Sequence, residues 1–332
     1  MRQQIAFTLI ITFLALSLNG QIRYFDERYV STMMQLTPVL VNPGATGFEN
    51  THQFIANYRN KWATHPGTPK TYMVSYDGPI ADNLSFGAQF LNDTNGALRT
   101  SKVQGTFAYM LRTAVNKLNV GLSGEYIQHG LDAALLTDAS VQGGDNEIIS
   151  RVDGTSFFDV SVGVYGVFDE KVTYGLVLPS LVNTRLGNDL VTDVDSREFG
   201  LIANIGYKYA IDGVDASIEP SIYFKRVNNV PTHADINILG RFADDKFRGG
   251  FTYSVGADNR VGFLVGVTFN ALELHYGYNL SRNDIQTFNN GSHEISLRFD
   301  IGGAREYGKD PGGLIEMKEG IETGVRKTIE RQ

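Results

Sequence analysis

His293 and Glu294 are adjacent, and a His-Glu pair opens the zinc motif His-Glu-x-x-His. That motif needs a second histidine one helical turn on, and position 297 is Leu. Glu273 and His275 stand two apart, which on a strand puts an acid and a base on one face. No third member of a catalytic set accompanies them. The run Gly143-Gly144-Asp145-Asn146-Glu147 carries oxygen ligands, but its spacing matches no calcium loop, and a solvated surface loop or partner contact accounts for it better. The chain has no cysteine, so thiol nucleophiles, disulfides and cysteine-metal sites are excluded. These residues assign no catalytic, cofactor or metal site, and the chain is not read as an enzyme.

The remaining ionisable residues recur at alternate positions: Glu125, Asp159, Glu219, Asp235, Glu273 and Asp300 against Arg59, Lys225, Arg241 and Arg298. They could mark an ion path or a hydrolytic carboxylate pair. Mixed signs favour a charge-balanced network that fills a wet interior. The element that positions them has period two. In 294–301, Ile295, Leu297, Phe299 and Ile301 alternate with Glu294, Ser296, Arg298 and Asp300. Leu272, Leu274, Tyr276, Tyr278 and Leu280 likewise oppose Glu273, His275, Gly277 and Asn279. The same reading along the chain predicts strands over 52–62, 69–79, 83–92, 100–112, 117–129, 155–168, 171–182, 197–210, 214–226, 232–242, 246–256, 260–269, 271–280 and 292–302.

A soluble sandwich hides its apolar face, whereas a membrane barrel turns it to lipid and keeps polar groups in the lumen. Three features favour the barrel. The strands approach the tilted span of a bilayer, aromatics such as Tyr58, Trp62, Phe168, Tyr209, Phe242 and Phe269 sit near strand ends, and glycines crowd the polar face. Links also alternate between short (80–82, 113–116, 169–170, 211–213, 243–245 and the 269–271 reversal) and mostly longer (63–68, 93–99, 130–154, 183–196, 227–231, 257–259, 281–291). The fold class is therefore all-β, a transmembrane antiparallel β-barrel of about 14 strands. An even number of strands places both termini in the periplasm.

Met1-Arg2 followed by an apolar run from Ile5 to Leu18 reads as a secretory signal peptide over residues 1–20, cut before Gln21; the run is short for a membrane span. Residues 21–50 are a periplasmic lead-in, tucked into or against the barrel mouth, 51–303 the barrel, and 304–332 a periplasmic tail. In that tail Leu314, Met317, Ile321, Val325 and Ile329 recur at helical spacing, suiting a helix that orders on a periplasmic partner or a frayed end. The balance of 29 basic against 36 acidic residues shows no basic stripe, so no nucleic-acid partner is expected.

Two blocks carry a family resemblance. The first is Asn42-Pro43-Gly44-Ala45-Thr46-Gly47, then Tyr58-Arg59-Asn60-Lys61-Trp62 and Pro69-Lys70-Thr71. The second is Gly277-Tyr278-Asn279, then Gly291-Ser292-His293-Glu294-Ile295. Together they resemble the PorP/SprF family, outer-membrane proteins of the Bacteroidetes type IX secretion system. Gly44, Thr46, Lys61 and Asn279-Leu280 depart from its usual residues, leaving open a core component or a paralogue serving one exported protein. The family's structural motif residues fall on Asn42, Pro43, Gly47, Tyr58, Arg59, Trp62, Pro69, Gly277, Tyr278, Gly291, His293 and Glu294. The resemblance implies an outer-membrane protein, bedded in lipid, that links exported surface proteins such as a gliding adhesin to the periplasmic motor ring. A passive solute channel is the alternative from the residues alone, and an outer-membrane hydrolase ranks last.

Overall fold

The computed structural model describes residues 26–63, 67–137, 152, 154–186, 200–227, 230–256, 259–281 and 291–301. The expected signal peptide, most of the 130–154 link with its acidic run, and the C-terminal tail lie outside the described residues.

Fourteen antiparallel strands form the wall. They are β1 His52–Asn60, β2 Lys70–Ala81, β3 Leu84–Asn95, β4 Leu98–Arg112, β5 Asn116–Leu131, β6 Thr155–Phe168, β7 Val172–Leu186 and β8 Leu201–Tyr207 with its continuation Tyr209–Ala210. Then follow β9 Ala216–Val227, β10 Val230–Phe242, β11 Phe247–Gly256, β12 Arg260–Phe269, β13 Leu272–Ser281 and β14 Ser292–Ile301. Each pairs with its sequence neighbours, and β1 pairs with β14 from His52↔Ile301 to Asn60↔His293. The sheet is thus closed, each strand being paired on both sides over at least part of its length, which is how a spanning sheet satisfies its backbone groups in lipid.

The pleat sets the two faces. On β14, Ile295, Leu297, Phe299 and Ile301 are exposed while Ser292, Glu294, Ser296, Arg298 and Asp300 are buried. On β12, Phe263, Val265, Val267 and Phe269 point outward. An exterior of exposed Phe, Val, Ile, Leu and Tyr around a buried charged interior reverses a water-soluble core. The exterior matches a barrel seated in hydrocarbon.

Links 82–83, 113–115, 169–171, 211–215, 243–246 and 270–271 lie at one end, here the turn end. Links 61–69, 96–97, 132–154, 187–200, 228–229, 257–259 and 282–291 lie at the other, the loop end. Two loop-end links are shorter than the sequence reading expects. The 93–99 link shrinks to Gly96-Ala97 because β3 and β4 stay paired to Asn95↔Leu98. Gly96, at φ 60°, stands first in a two-residue hairpin loop, where a glycine is favoured. The 227–231 link shrinks to 228–229 in the same way, through the Val227↔Val230 pair. Among strand irregularities, β7 carries a bulge: Val160↔Val182 is followed by Val162↔Leu178, with Ser180 at φ 56° and Pro179 lacking a ladder donor.

Ahead of β1 the chain forms four single 3-10 turns, Glu27–Val30, Thr32–Gln35, Pro38–Leu40 and Pro43–Ala45. Capping residues set this punctuation. Asp26, Ser31 and Asn42 each accept the backbone N–H two residues on, and Pro38 and Pro43 open the last two turns. A cap or proline every four to seven residues stops each turn before a helix can propagate. The sequence reading put this segment in or against a mouth. The structure runs it through the lumen, with almost every residue from Glu27 to Phe48 buried or nearly so.

Candidate functional site

The densest set of functional side chains lies where this interior segment meets the wall, in three layers. The loop-end layer is ionic. The Arg28 guanidinium reaches Glu125 at 2.7 Å and Asp26 at 2.8 Å, and donates to Gln89 and Gln104. Lys102 Nζ pairs with Asp26 at 2.7 Å and with Glu125 at 3.5 Å. Glu27 pairs with Lys61 at 3.1 Å and Arg59 at 3.6 Å, and Arg59 also donates to the Glu27 carbonyl. Arg260 Nη1 donates to the Val30 carbonyl at 2.7 Å. Glu294, 1 % exposed, accepts from Ser31 Oγ at 2.5 Å and Asn57 Nδ2 at 2.9 Å. Just above this layer Arg99 pairs with Asp132, whose carboxyl the Ala134 backbone N–H and Arg99 hold below the usual range.

The next layer is apolar and reaches from the loop end to mid-height. Tyr29 and Val30 pack with Val177, Ile202, Val227 and Val230; Met33 and Leu36 with Leu239 and Leu264; Leu40 with Ile55, Met73 and Leu91. Each of these wall residues sits on the otherwise polar inner face. The turn-end layer fits backbone to backbone. A Cβ on Gly121 would stand 2.2 Å from the Pro43 carbonyl oxygen, and one on Gly44 would meet the Val164–Tyr165 main chain at 2.7–2.9 Å. Asn42 Nδ2 donates to the Val164 carbonyl, Asn119 Nδ2 to the Thr46 carbonyl, and Asp77 accepts the Gly47 N–H at 2.8 Å. Phe48 closes the layer edge-on to Tyr165, with Lys117 Nζ 4.4 Å over its ring. A gap of about 30 Å³ remains beside Leu36, Phe48, Ile55, Tyr165 and Arg298, room for a water or two.

Magnitudes separate the layers. Each large apolar side chain buried by the segment contributes roughly 1.5–3 kcal/mol. A buried ion pair roughly breaks even, because desolvation offsets the Coulomb gain. The apolar clusters therefore hold the segment in place, while the ion pairs and glycine contacts fix its register.

The sequence-assigned residues distribute around this interface. Asn42, Pro43 and Gly47 belong to the interior segment. Arg59, Gly277 and Glu294 receive it, Gly277 by leaving room for Thr32 and Met33. The others gather where β1 and β14 close at the loop end. Tyr58 packs on Tyr72 and Tyr278 on His293, Lys61 N–H donates to the Pro69 carbonyl and Ala63 N–H to that of Gly291, and Trp62 adopts φ 55°. His293 and Glu294 point to opposite faces: His293 lies beside Tyr276 Oη at 2.7 Å, Glu294 inside. They cannot share one ion. Glu273 and His275 do share the inner face, but Arg248 bridges them at 2.7 and 3.0 Å, neutralising the acid and occupying the base. Of the other inward charges, Lys225 pairs with Asp235, Arg241 with Glu219 and Arg298 with Asp300, whereas Asp159 makes no ion pair among the described residues and accepts the Val160 N–H.

Sequence reasoning did not single out Asp26, Glu27, Arg28, Lys102 or Arg260, and it marked Lys61 only as a departure from the family's usual residue. One signal was available: Ile55, Met73, Leu91, Val177, Ile202, Leu239 and Leu264 all fall at inward parity. Apolar residues on a wet inner face need a partner.

A closed antiparallel cylinder, apolar outside and charge-paired inside, defines a β-barrel protein of the outer-membrane type. The chain belongs to the family described as type IX secretion system membrane protein PorP/SprF, which matches residues 23–299. Among solved structures it is similar to the Acinetobacter baumannii outer membrane protein Omp33, at 8% identity and TM-score 0.46 over 77% of this chain and 100% of that one. The Ralstonia pickettii toluene transporter TbuX aligns at 10% identity and TM-score 0.44, over 88% and 98%. A Pseudomonas aeruginosa FadL homologue gives 10% and 0.44, over 79% and 93%. Comparison with curated proteins gives no match.

Proposed function

We propose that this barrel joins exported surface proteins to the periplasmic ring and motor of the type IX system, or of its gliding branch, and does no chemistry of its own. The family match over residues 23–299 carries the reading. The interior supports it: most of its charges pair with one another or with the chain's own segment, so activity falls to the loops, turns and tail. In this reading the long links face the cell exterior, where they meet an exported adhesin. The short turns and the tail face the periplasm, where they meet ring components. A solute pore requires an open lumen, and the segment crossing this one argues against it.

Disrupting the gene is expected to trap the cognate exported proteins inside the cell, read by surface labelling against whole-cell immunoblots. Normal surface display in the disrupted strain would overturn the reading.

A further inference from the structure

Of the seams between neighbouring strands, one differs from the rest. β7 and β8 pair over six residues each, from Val172↔Tyr207 to Val177↔Ile202. Every other seam carries at least eight pairs among the described residues, counting β8 against β9 on both sides of the break at Lys208. At the loop end the β7–β8 ladder stops where Pro179, with no N–H to give, faces Gly200, whose added Cβ would stand 2.6 Å from the Pro179 ring. At the turn end it stops at Lys208, which interrupts β8 and donates its N–H to the Lys171 carbonyl at 2.7 Å. Among the described residues this is also the one seam whose paired positions, 172–177 and 202–207, include no Asp, Glu, Lys or Arg.

From inside, the seam is backed by the interior segment. That segment enters beside Lys102 at the loop end and leaves beside Asp77 at the turn end, a traverse that strand counting omits. On the way it meets the seam at two heights. Tyr29 and Val30 pack against Val177 of β7 and Ile202 of β8, together with Val227 and Val230 of the next hairpin. Lower down, a Cβ on Gly175 of β7 would stand 2.3 Å from Asn204 Oδ1 of β8 and 3.1 Å from Asn42 Nδ2 of the segment. From outside, Leu176, Leu178 and Ile205 face lipid. Parting β7 from β8 breaks the shortest ladder of the wall and bares no ionic side chain to hydrocarbon. At any other seam it would break a longer ladder and expose a charge. We propose that the wall opens sideways to the bilayer between β7 and β8, and that Tyr29 and Val30 hold this seam shut. The interior segment is then a brace for the wall as well as a filling for the lumen. Its displacement opens the lumen to the bilayer, apart from either mouth. The inference rests on the closed barrel and not on the export role.

Hydrogen exchange of the full chain in detergent micelles, read by mass spectrometry, tests this, because amide exchange reports local opening. Amides of 173–177 and 202–206 are expected to exchange about tenfold faster or more than the mid-strand amides 104–108 of β4 and 121–125 of β5, whose seam has fifteen pairs. Tyr29→Ala/Val30→Ala is expected to raise the rate at the seam by a further factor of about ten, while β4 and β5 stay within about threefold. A disulfide across the seam on its lipid face, Leu176→Cys/Ala203→Cys, is expected to reverse that rise when oxidised and not when reduced; the chain has no other cysteine. A rise spread evenly along the wall, or none at the seam, overturns the proposal. Should the alanine variant not fold, the parent protein decides: seam amides as slow as those of β4 and β5 overturn it as well.

Discussion

Gly44 stands where the main chain of the interior segment presses on the main chain of its own wall. A side chain there has no flexible neighbour to displace, because the atoms within 3 Å are main chain of β6. Gly44→Ala is expected to destabilise the folded barrel by about 1–3 kcal/mol, the usual cost of overpacking. The outward Gly105, with nothing within 4 Å of an added Cβ, is the control, and Gly105→Ala is expected to stay within about 0.5 kcal/mol. Urea unfolding in detergent micelles, followed by fluorescence of the single tryptophan Trp62, distinguishes the two. Glu294 makes a second case. Glu294→Ala strands the Ser31 hydroxyl and the Asn57 amide in a buried site, at about 1–3 kcal/mol, and the same titration reads the loss. His293→Ala removes outer-face contacts to Tyr276 and Tyr278 and is expected to cost less. Adjacent residues of one motif thus differ because the pleat sends them to different environments.

At the scale of elements, the string of 3-10 turns has little stability of its own, since single turns gain few hydrogen bonds for the residues they fix. It exists because the wall supplies apolar clusters and glycine clearances at its own spacing. A cysteine pair tests that seating. A Cβ on Gly277 would lie 3.0 Å from Thr32 Oγ1, a separation that suits a Cβ and the sulfur bonded across from it. Thr32→Cys/Gly277→Cys is expected to oxidise to an intramolecular disulfide in folded membranes, detected by intact mass with and without reductant. Thr32→Cys/Gly105→Cys, with one residue on the outer face, is expected to stay reduced. Failure of the first pair to close would mean that the segment does not lie along β13.

For the whole molecule, the division of labour between layers sets how the lumen opens. Replacing an ion pair by apolar residues of similar volume is close to neutral, whereas truncating buried apolar side chains costs about 2–5 kcal/mol each. Arg28→Met/Glu125→Leu leaves the Asp26–Lys102 pair intact and is expected to remain silent in planar bilayers, like the parent protein. Met33→Ala/Leu36→Ala/Leu40→Ala is expected to give fluctuating currents as the segment loses its hold. A parent protein with steady ohmic conductance would reverse this ordering.

The sequence by itself determined the wall. Period-two alternation is a local property, because side chains of a strand alternate faces whatever the rest of the chain does, so Glu294–Ile301 and Leu272–Leu280 declared their two sides. The links showed the same clarity, apart from 93–99 and 227–231, where pairing ran on into residues of turn composition. Motif residues such as Asn42, Arg59 and Glu294 were visible as a pattern, though not as partners of one interface. Only the tertiary structure decided what fills the lumen. Arg28 and Glu125 are 97 residues apart and Ser31 and Glu294 are 263 apart, and no period links them. Their meeting requires β1 to close on β14 around a segment that runs against the direction strand counting implies. That crossing, set by burial of Tyr29, Met33, Leu36 and Leu40 against inward apolar wall residues, puts Asp26 and Ile301 at opposite ends of the cylinder.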